Sequence, residues 1–379
     1  MPMDFATVAV AVNHFTAFIF GAAVGSFLNV CVYRIPYEKS FLWPGSRCGN
    51  CYQPIRFYDN IPLLSYWLLR GRCRRCGAHF SMRYFLVELG TALAFAGLYH
   101  LEVYRNALDI PLLASSRERW AIMNGVPSSG AWTIFVYHSV LLSFLIAASV
   151  CDIEHLEIPL GITVAGTIVG LIGSACFPWP FPNTQLLPDP VPFLAGPNRE
   201  PAAPSAGLYL WPVWTPLPGW LPKGSWQLGL ATGLAGAAAG NIVLRIVRFV
   251  FQVGRGIEGL GIGDSDLMMM AGSFVGWQVI VVAFPAGVFA ALFVAIGQWI
   301  LRGKEMLPFG PSLAIGVMLT LLCWRFMAKV AWNYLSDAPT VAAIGILCAA
   351  GLFVCALALR FLRGNEPPEE LEASEKAAG

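Results

Sequence analysis

Charge is what this sequence lacks most. Asp, Glu, Lys and Arg make up 12% of its 379 residues, against roughly 25% in an ordinary soluble domain. Hydrophobic residues make up 57%, and mean hydropathy is +0.63. That balance excludes a water-soluble globular domain and implies a polytopic membrane protein. The net charge of +2 gives no general attraction to a polyanion, and no nucleic-acid partner is expected. The first apolar stretch, from near Val8 past Val30, has no A-x-A-like cleavage site. It therefore reads as a spanning helix and not as a removed signal peptide. No internal repeat and no glycine-rich nucleotide motif is present.

What is present is a series of apolar runs, each long enough to cross roughly 30 Å of hydrocarbon. They lie at about 8–33, 84–104, 132–151, 158–177, 227–250, 266–282, 284–301, 310–332 and 340–362. The expected fold is an all-α polytopic membrane protein of about nine transmembrane helices. "FPAG" at 284–287 reads as a turn or a kink between the sixth and seventh runs. Lysine and arginine set the orientation. The segment 34–83, the exit of the fifth run (Arg245, Arg248, Arg255), the loop with Arg302 and Lys304, and the end at Arg360 and Arg363 fall on one side if nine spans alternate. That side is expected to be cytoplasmic, with the N-terminus outside and the C-terminus inside. The chain thus divides into a first transmembrane helix (1–33), a cytoplasmic cysteine loop (34–83), a membrane core (84–363) and an acidic, disordered tail (364–379). Within the core, 178–226 is so rich in proline and tryptophan that it reads as an irregular outer insertion.

Ten cysteines are present, four of them as Cys48-Gly-Asn-Cys51 and Cys73-Arg-Arg-Cys76. C-x-x-C spacing lets two thiolates grip one tetrahedral Zn²⁺ from a tight turn, and two such knuckles complete a four-sulfur site. The 21 residues between them slightly exceed the usual zinc-ribbon range. A cytoplasmic loop disfavours structural disulfides. A redox pair and unligated thiols are the alternatives to structural zinc. Arg72, Arg74 and Arg75 are expected to offset thiolate charge. The remaining cysteines, Cys31, Cys151, Cys176, Cys323, Cys348 and Cys355, fall in or beside apolar runs and read as small buried hydrophobes.

Carboxylates at the edge of a membrane span are costly and are candidates for function. Asp264 follows "GIG" at the mouth of the sixth run, and Asp152 ends the third run in "CDIEHLEIP". The deduced topology puts both at the cytoplasmic edge, at one depth, where they could face one another. Two such carboxylates cannot both ionise easily and would share a proton. The neutral acid can then polarise a peptide carbonyl while the carboxylate activates water. The competing reading is that each merely ends a helix in contact with water. Asp266, Glu154, Glu157 and His155 compete within the same short segments, and the charge of Asp266 could bear on Asp264. Glu88, inside the second run, either bonds a neighbouring helix or lines a polar cavity.

These residues together resemble the type IV prepilin peptidases, intramembrane aspartic peptidases of the GxGD kind. "GAAVGSFLNVCVYRIP" (21–36), the cysteine segment 48–88, "DIEHLEIP" (152–159), "GIGD" (261–264) and "LPFGPSLAIG" (307–316) carry the resemblance. It implies that Asp152 and Asp264 are the catalytic pair. It also implies cleavage of the basic leader of prepilins or pseudopilins after a glycine, at the cytoplasmic face of the bacterial inner membrane. Methylation of the new N-terminus with S-adenosylmethionine is implied as well, without residues for the methyl donor. The sequence departs from the family's usual lysine at Asp266, and the insertion 178–226 is outside the usual pattern. A peptidase without methylation is the nearest alternative. An ion-coupled transporter or channel is the alternative from another class; it would spread polar residues along several helices at mid-membrane depth, where few besides Glu88 occur.

Overall fold

The computed structural model describes residues 5–40, 43, 45–108, 110–176, 220–221, 225–256, 260–302, 308–335 and 338–363. The expected insertion at 178–226, apart from four of its residues, and the expected tail lie outside them. Among the described residues the chain is helical, with only two isolated β-bridges, both in the cysteine loop. The helices are α1 (Phe5–Arg34), α2 (Leu64–Leu68), α3 (Met82–Leu98), α4 (Pro111–Ala114), α5 (Ser116–Met123), α6 (Ser129–His155), α7 (Leu160–Cys176), α8 (Trp226–Arg255), α9 (Ile262–Arg302), α10 (Gly310–Leu335) and α11 (Ala338–Arg363). Several starts are capped by a serine whose hydroxyl accepts a backbone N–H that the helix leaves free. Ser81 takes Arg83, Ser128 takes Ala131 and Ser225 takes Leu228.

Seven helices are long and apolar enough to cross a membrane, and α7 is a shorter apolar helix of 17 residues. The nine apolar runs fall in these eight elements, because α9 carries both the sixth and the seventh. A straight helix of 41 residues would be roughly 60 Å long, about twice the hydrocarbon thickness. It is not straight: the helical backbone is interrupted at Gly276, with φ 80° and ψ 171°. The interruption therefore precedes "FPAG", and the helix continues through Pro285. A positive φ costs glycine little, whereas proline's fixed φ suits a helix and its missing N–H is tolerated in membrane helices.

Helix pairs approach through small residues, as expected where lipid offers no hydrophobic drive for association. A Cβ at Gly25 would stand 2.8 Å from Glu88 Cα, and one at Gly21 2.8 Å from Ala92 Cα, which fixes α1 on α3. Before its break α9 lies on α8: a Cβ at Gly236 would be 2.0 Å from the Gly272 carbonyl oxygen. After the break α9 lies on α10, Gly287 against Leu313 and Gly316 against Ala283. Deep in the bundle, a π-helical turn at Tyr99–Tyr104 carries Glu102, which is hydrogen-bonded to His138 of α6. Both are buried, and each satisfies a polar group of the other.

One end of the bundle gathers the elements that matter most. Arg83 at the start of α3 bonds Glu154 at the end of α6. The start of α10 bonds Asp152, and Gly254 near the end of α8 meets Ala356 near the end of α11. The close helix pairing is testable. Gly236→Ala should lose about 1–3 kcal/mol of stability by overpacking backbone against backbone, read as a lower unfolding midpoint in detergent. Gly90→Ala, where nothing stands within 4 Å of the added carbon, should be neutral or slightly stabilising.

Candidate active site and metal centre

Asp152 occupies the last turn of α6, which is closed by Leu156 in the left-handed region (φ 53°), its N–H bonded to the Asp152 carbonyl. The Asp152 side chain turns the other way. Its Oδ2 accepts the backbone N–H of Gly310, the first residue of α10, at 2.8 Å. A helix N-terminus has free N–H groups and a partial positive charge, so it suits a carboxylate. A Cβ at position 310 would stand 2.8 Å from that oxygen and 3.1 Å from Ile158 Cδ1, so glycine is what admits this contact.

Asp264 is the third residue of α9 and bonds the backbone of Gly261. Gly263, just before it, stands against the same Ile158: a Cβ there would be 3.1 Å from Ile158 Cβ. Ile158 thus lies between the residue that bonds Asp152 and the residue beside Asp264, and the charge of Asp152 acts on Asp264. The two aspartates are 6% and 8% exposed. Neither forms an ion pair among the described residues.

The competitors go elsewhere. Asp266 faces α8, where Asn241 Nδ2 donates to its Oδ1 at 3.4 Å and Arg245 is within electrostatic reach. Glu154 is paired with Arg83, and Glu157 is exposed. Glu88 accepts the backbone N–H of Leu63 at 2.7 Å and bonds Ser26 of α1. It ties the cysteine loop to two membrane helices, which settles its two sequence readings in favour of bonding a neighbour. Leu63 has φ 64°, a strained conformation for a branched side chain, held here by the Glu88 acceptor. Sequence reasoning missed two features: the Glu102–His138 pair and the link of Arg83 to Glu154. Each joins residues far apart in the chain, and spacing alone gave no signal for either.

The four paired cysteines do converge. Their sulfurs all lie within 4.8 Å of one another, and those of Cys48 and Cys76 are 3.7 Å apart. Tetrahedral zinc with Zn–S of about 2.3 Å places its sulfurs about 3.8 Å apart, so the set fits. The knuckles are near copies. Cys48 N–H bonds the Gln53 carbonyl at 3.0 Å and Cys73 N–H bonds the Ala78 carbonyl at 2.8 Å. Tyr52 and Gly77, each just after its second cysteine, both take positive φ, 55° and 72°. The backbone N–H of Ala78, with help from Asn50, holds the Cys76 thiol down at about 6. The N–H groups of Cys51 and Asn50 lower Cys48.

The arginines serve otherwise than expected. Arg74 makes a fork to Asp59, with Nε to Oδ1 at 3.0 Å and Nη2 to Oδ1 at 2.6 Å, and Arg75 bonds Gln53 at 2.8 Å. For Cys48 and Cys76 it is backbone donors that favour the thiolate, while Cys51, against the backbone N–H of Gln53, is pushed up to about 11 by its burial and its neighbouring sulfurs.

The chain is similar to several known proteins. Residues 19–101 match the bacterial peptidase A24 N-terminal domain, a stretch that contains all four cysteines and neither aspartate. A prepilin leader peptidase/N-methyltransferase of Pseudomonas putida is 27% identical over 81% of this chain and 89% of its own length. A type 4 prepilin-like proteins leader peptide-processing enzyme of Escherichia coli O78:H11 is 31% identical over 79% of this chain and 90% of its own. A prepilin leader peptidase/N-methyltransferase of Myxococcus xanthus is 30% identical over 69% of this chain and 56% of its own. No solved structure matches the chain.

Elemental analysis of the purified protein should find about one zinc per chain, as a single four-sulfur site holds one ion. Cys48→Ser combined with Cys51→Ser should remove it, and zinc retained at the same ratio would rule out this site.

Proposed function

The chain belongs to the prepilin leader peptidase/N-methyltransferase family, and we propose that it is a membrane-embedded aspartic endopeptidase that removes the leader of prepilins or pseudopilins. The carrying observation is that Asp152 and Asp264 are both buried, that the charge of one acts on the other, and that neither has an ion-pair partner among the described residues. The proposed roles follow from elementary chemistry. One carboxylate takes a proton from water as the oxygen attacks the scissile carbonyl carbon. The protonated partner donates to the carbonyl oxygen. The tetrahedral intermediate then collapses, the C–N bond breaks, and the leaving amine takes up a proton from the dyad. The Gly310 N–H steadies the charge on Asp152 throughout.

Cleavage at the cytoplasmic face of the bacterial inner membrane is part of the proposal. It is supported by the gathering of the cysteine loop and the basic ends of α1, α8 and α11 at the end of the bundle that holds the aspartates. A substrate leader that is itself basic would stay on that side. N-methylation of the product is proposed on the relatives' names, with S-adenosylmethionine as the donor, which when bound supplies an activated methyl group. The transporter reading gains no support from Glu102 and His138, since the two are buried and bonded to each other.

Asp152→Asn and Asp264→Asn should each lower cleavage of a purified prepilin by about 10³-fold or more, since each removes half of an acid–base pair. The wild-type rate should fall on both the acid and the alkaline side of an optimum, where the dyad gains a second proton or loses its only one. Near-normal cleavage by either variant would remove that residue from the mechanism.

A further inference from the structure

Arg83 lies in the first turn of α3, beside the aspartate end of the bundle. Its Nη1 is taken by Glu154 of α6. Its Nε and Nη2 are buried and meet no acceptor among the described residues. Those two nitrogens form the side-on edge of a guanidinium, the edge that grips both oxygens of a carboxylate. Arg74 presents the same edge to Asp59 in this protein. Two desolvated donors without an acceptor are unfavourable, and a carboxylate seated on this edge would satisfy both at once. The position is close to the chemistry. Arg83 and Asp152 both act electrostatically on Cys151, the residue before Asp152. The ring of Tyr84 lies 5.0 Å from the guanidinium carbon. The Arg83 side chain is 31% exposed, so the edge lies just below an open surface.

We propose that the Nε/Nη2 edge of Arg83 is a carboxylate-binding subsite next to the aspartate pair, an inference that rests on the peptidase reading above. The carboxylate has two possible sources: an acidic side chain of the prepilin near its scissile bond, or the α-carboxylate of S-adenosylmethionine. The fit to the methyl donor is chemical, since its amino-acid end carries a free carboxylate and this edge offers the two donors such a group requires.

The test uses the full-length protein in detergent as wild type, Arg83→Lys and Glu154→Gln. Lysine keeps the ion pair with Glu154 and loses the fork, while glutamine keeps an acceptor for Nη1 and leaves the fork. Two quantities are read: the Kd for S-adenosylhomocysteine by calorimetry, and KM and kcat for prepilins with acidic or amidated side chains after the cleavage site. The proposal expects Arg83→Lys to weaken one of these by about tenfold or more, the effect of a lost charged hydrogen-bond pair. A raised Kd with unchanged KM identifies the methyl donor. A raised KM that disappears with the amidated prepilin identifies the substrate. Both quantities unchanged in Arg83→Lys, or an equal loss in Glu154→Gln, would overturn it.

If Arg83→Lys does not fold, labelling of wild-type Arg83 with phenylglyoxal answers instead. Protection by S-adenosylhomocysteine or by acidic prepilin supports the subsite, and protection by neither overturns it. Wild-type protein that cleaves no prepilin would sink the peptidase reading, while the binding and labelling arms still report on the fork.

Discussion

Two carboxylates withdrawn from water and bonded by backbone amides, with no cation paired to either among the described residues, are the constraint on which the rest of this protein depends. An apolar bundle would not tolerate them singly without cost. Asp152 is tolerated because the first N–H of α10 reaches it, and that N–H reaches it because position 310 has no side chain. Asp264 is tolerated because it lies in the first turn of its own helix, where the dipole favours negative charge. A cation in place of these amides would hold both groups as carboxylates. Under the proposed mechanism, dipoles in its place leave a proton for the pair to exchange.

The position of Asp264 is set at some distance from it. The α8 and α9 backbones touch at Gly236 and Gly272 and again where Gly240 meets Met268. Such contacts admit no sliding, so they lock the register of α9 and with it the height of its first turn. Asp266 belongs to this lock, facing α8, and is turned away from Asp264. Two residues on along a helix is a rotation of roughly 200°, which turns its carboxylate toward Asn241 and Arg245 of α8. A negative charge at this position is accommodated by a positive one on the facing helix.

Features written in local spacing were legible in the sequence. The apolar runs and the two C-x-x-C knuckles each depend on neighbours within a few residues; the runs fall in helices, the sixth and seventh in one, and the four sulfurs converge. What escaped depends on packing between distant segments. The helix break belongs to Gly276 and not to Pro285, because proline is compatible with the helix and a positive φ is not. The charge around Cys73 and Cys76 was read as serving the thiolates, yet Arg74 and Arg75 had better acceptors in Asp59 and Gln53. Glu102 and His138 are separated by 36 residues, and no periodicity joins them.

Helix α3 explains how a metal loop can matter to a peptidase site that it does not enter. Glu88 of α3 grips the loop through Leu63, a residue held in strained backbone geometry. One turn and a half earlier on the same helix, Arg83 grips the end of α6, two residues beyond Asp152. A loop fixed at its knuckles by a metal would hold Leu63 in place, and Leu63 in place holds the start of α3. Without the metal, strain at Leu63 of about 1–3 kcal/mol would favour release of Glu88. Glu88, half-buried, would then keep only its bond to Ser26 at the junction of α1 and α3. The loop thus clamps α3 to α1 through Glu88, and Arg83 on the same helix carries that clamp to the end of α6, two residues beyond Asp152.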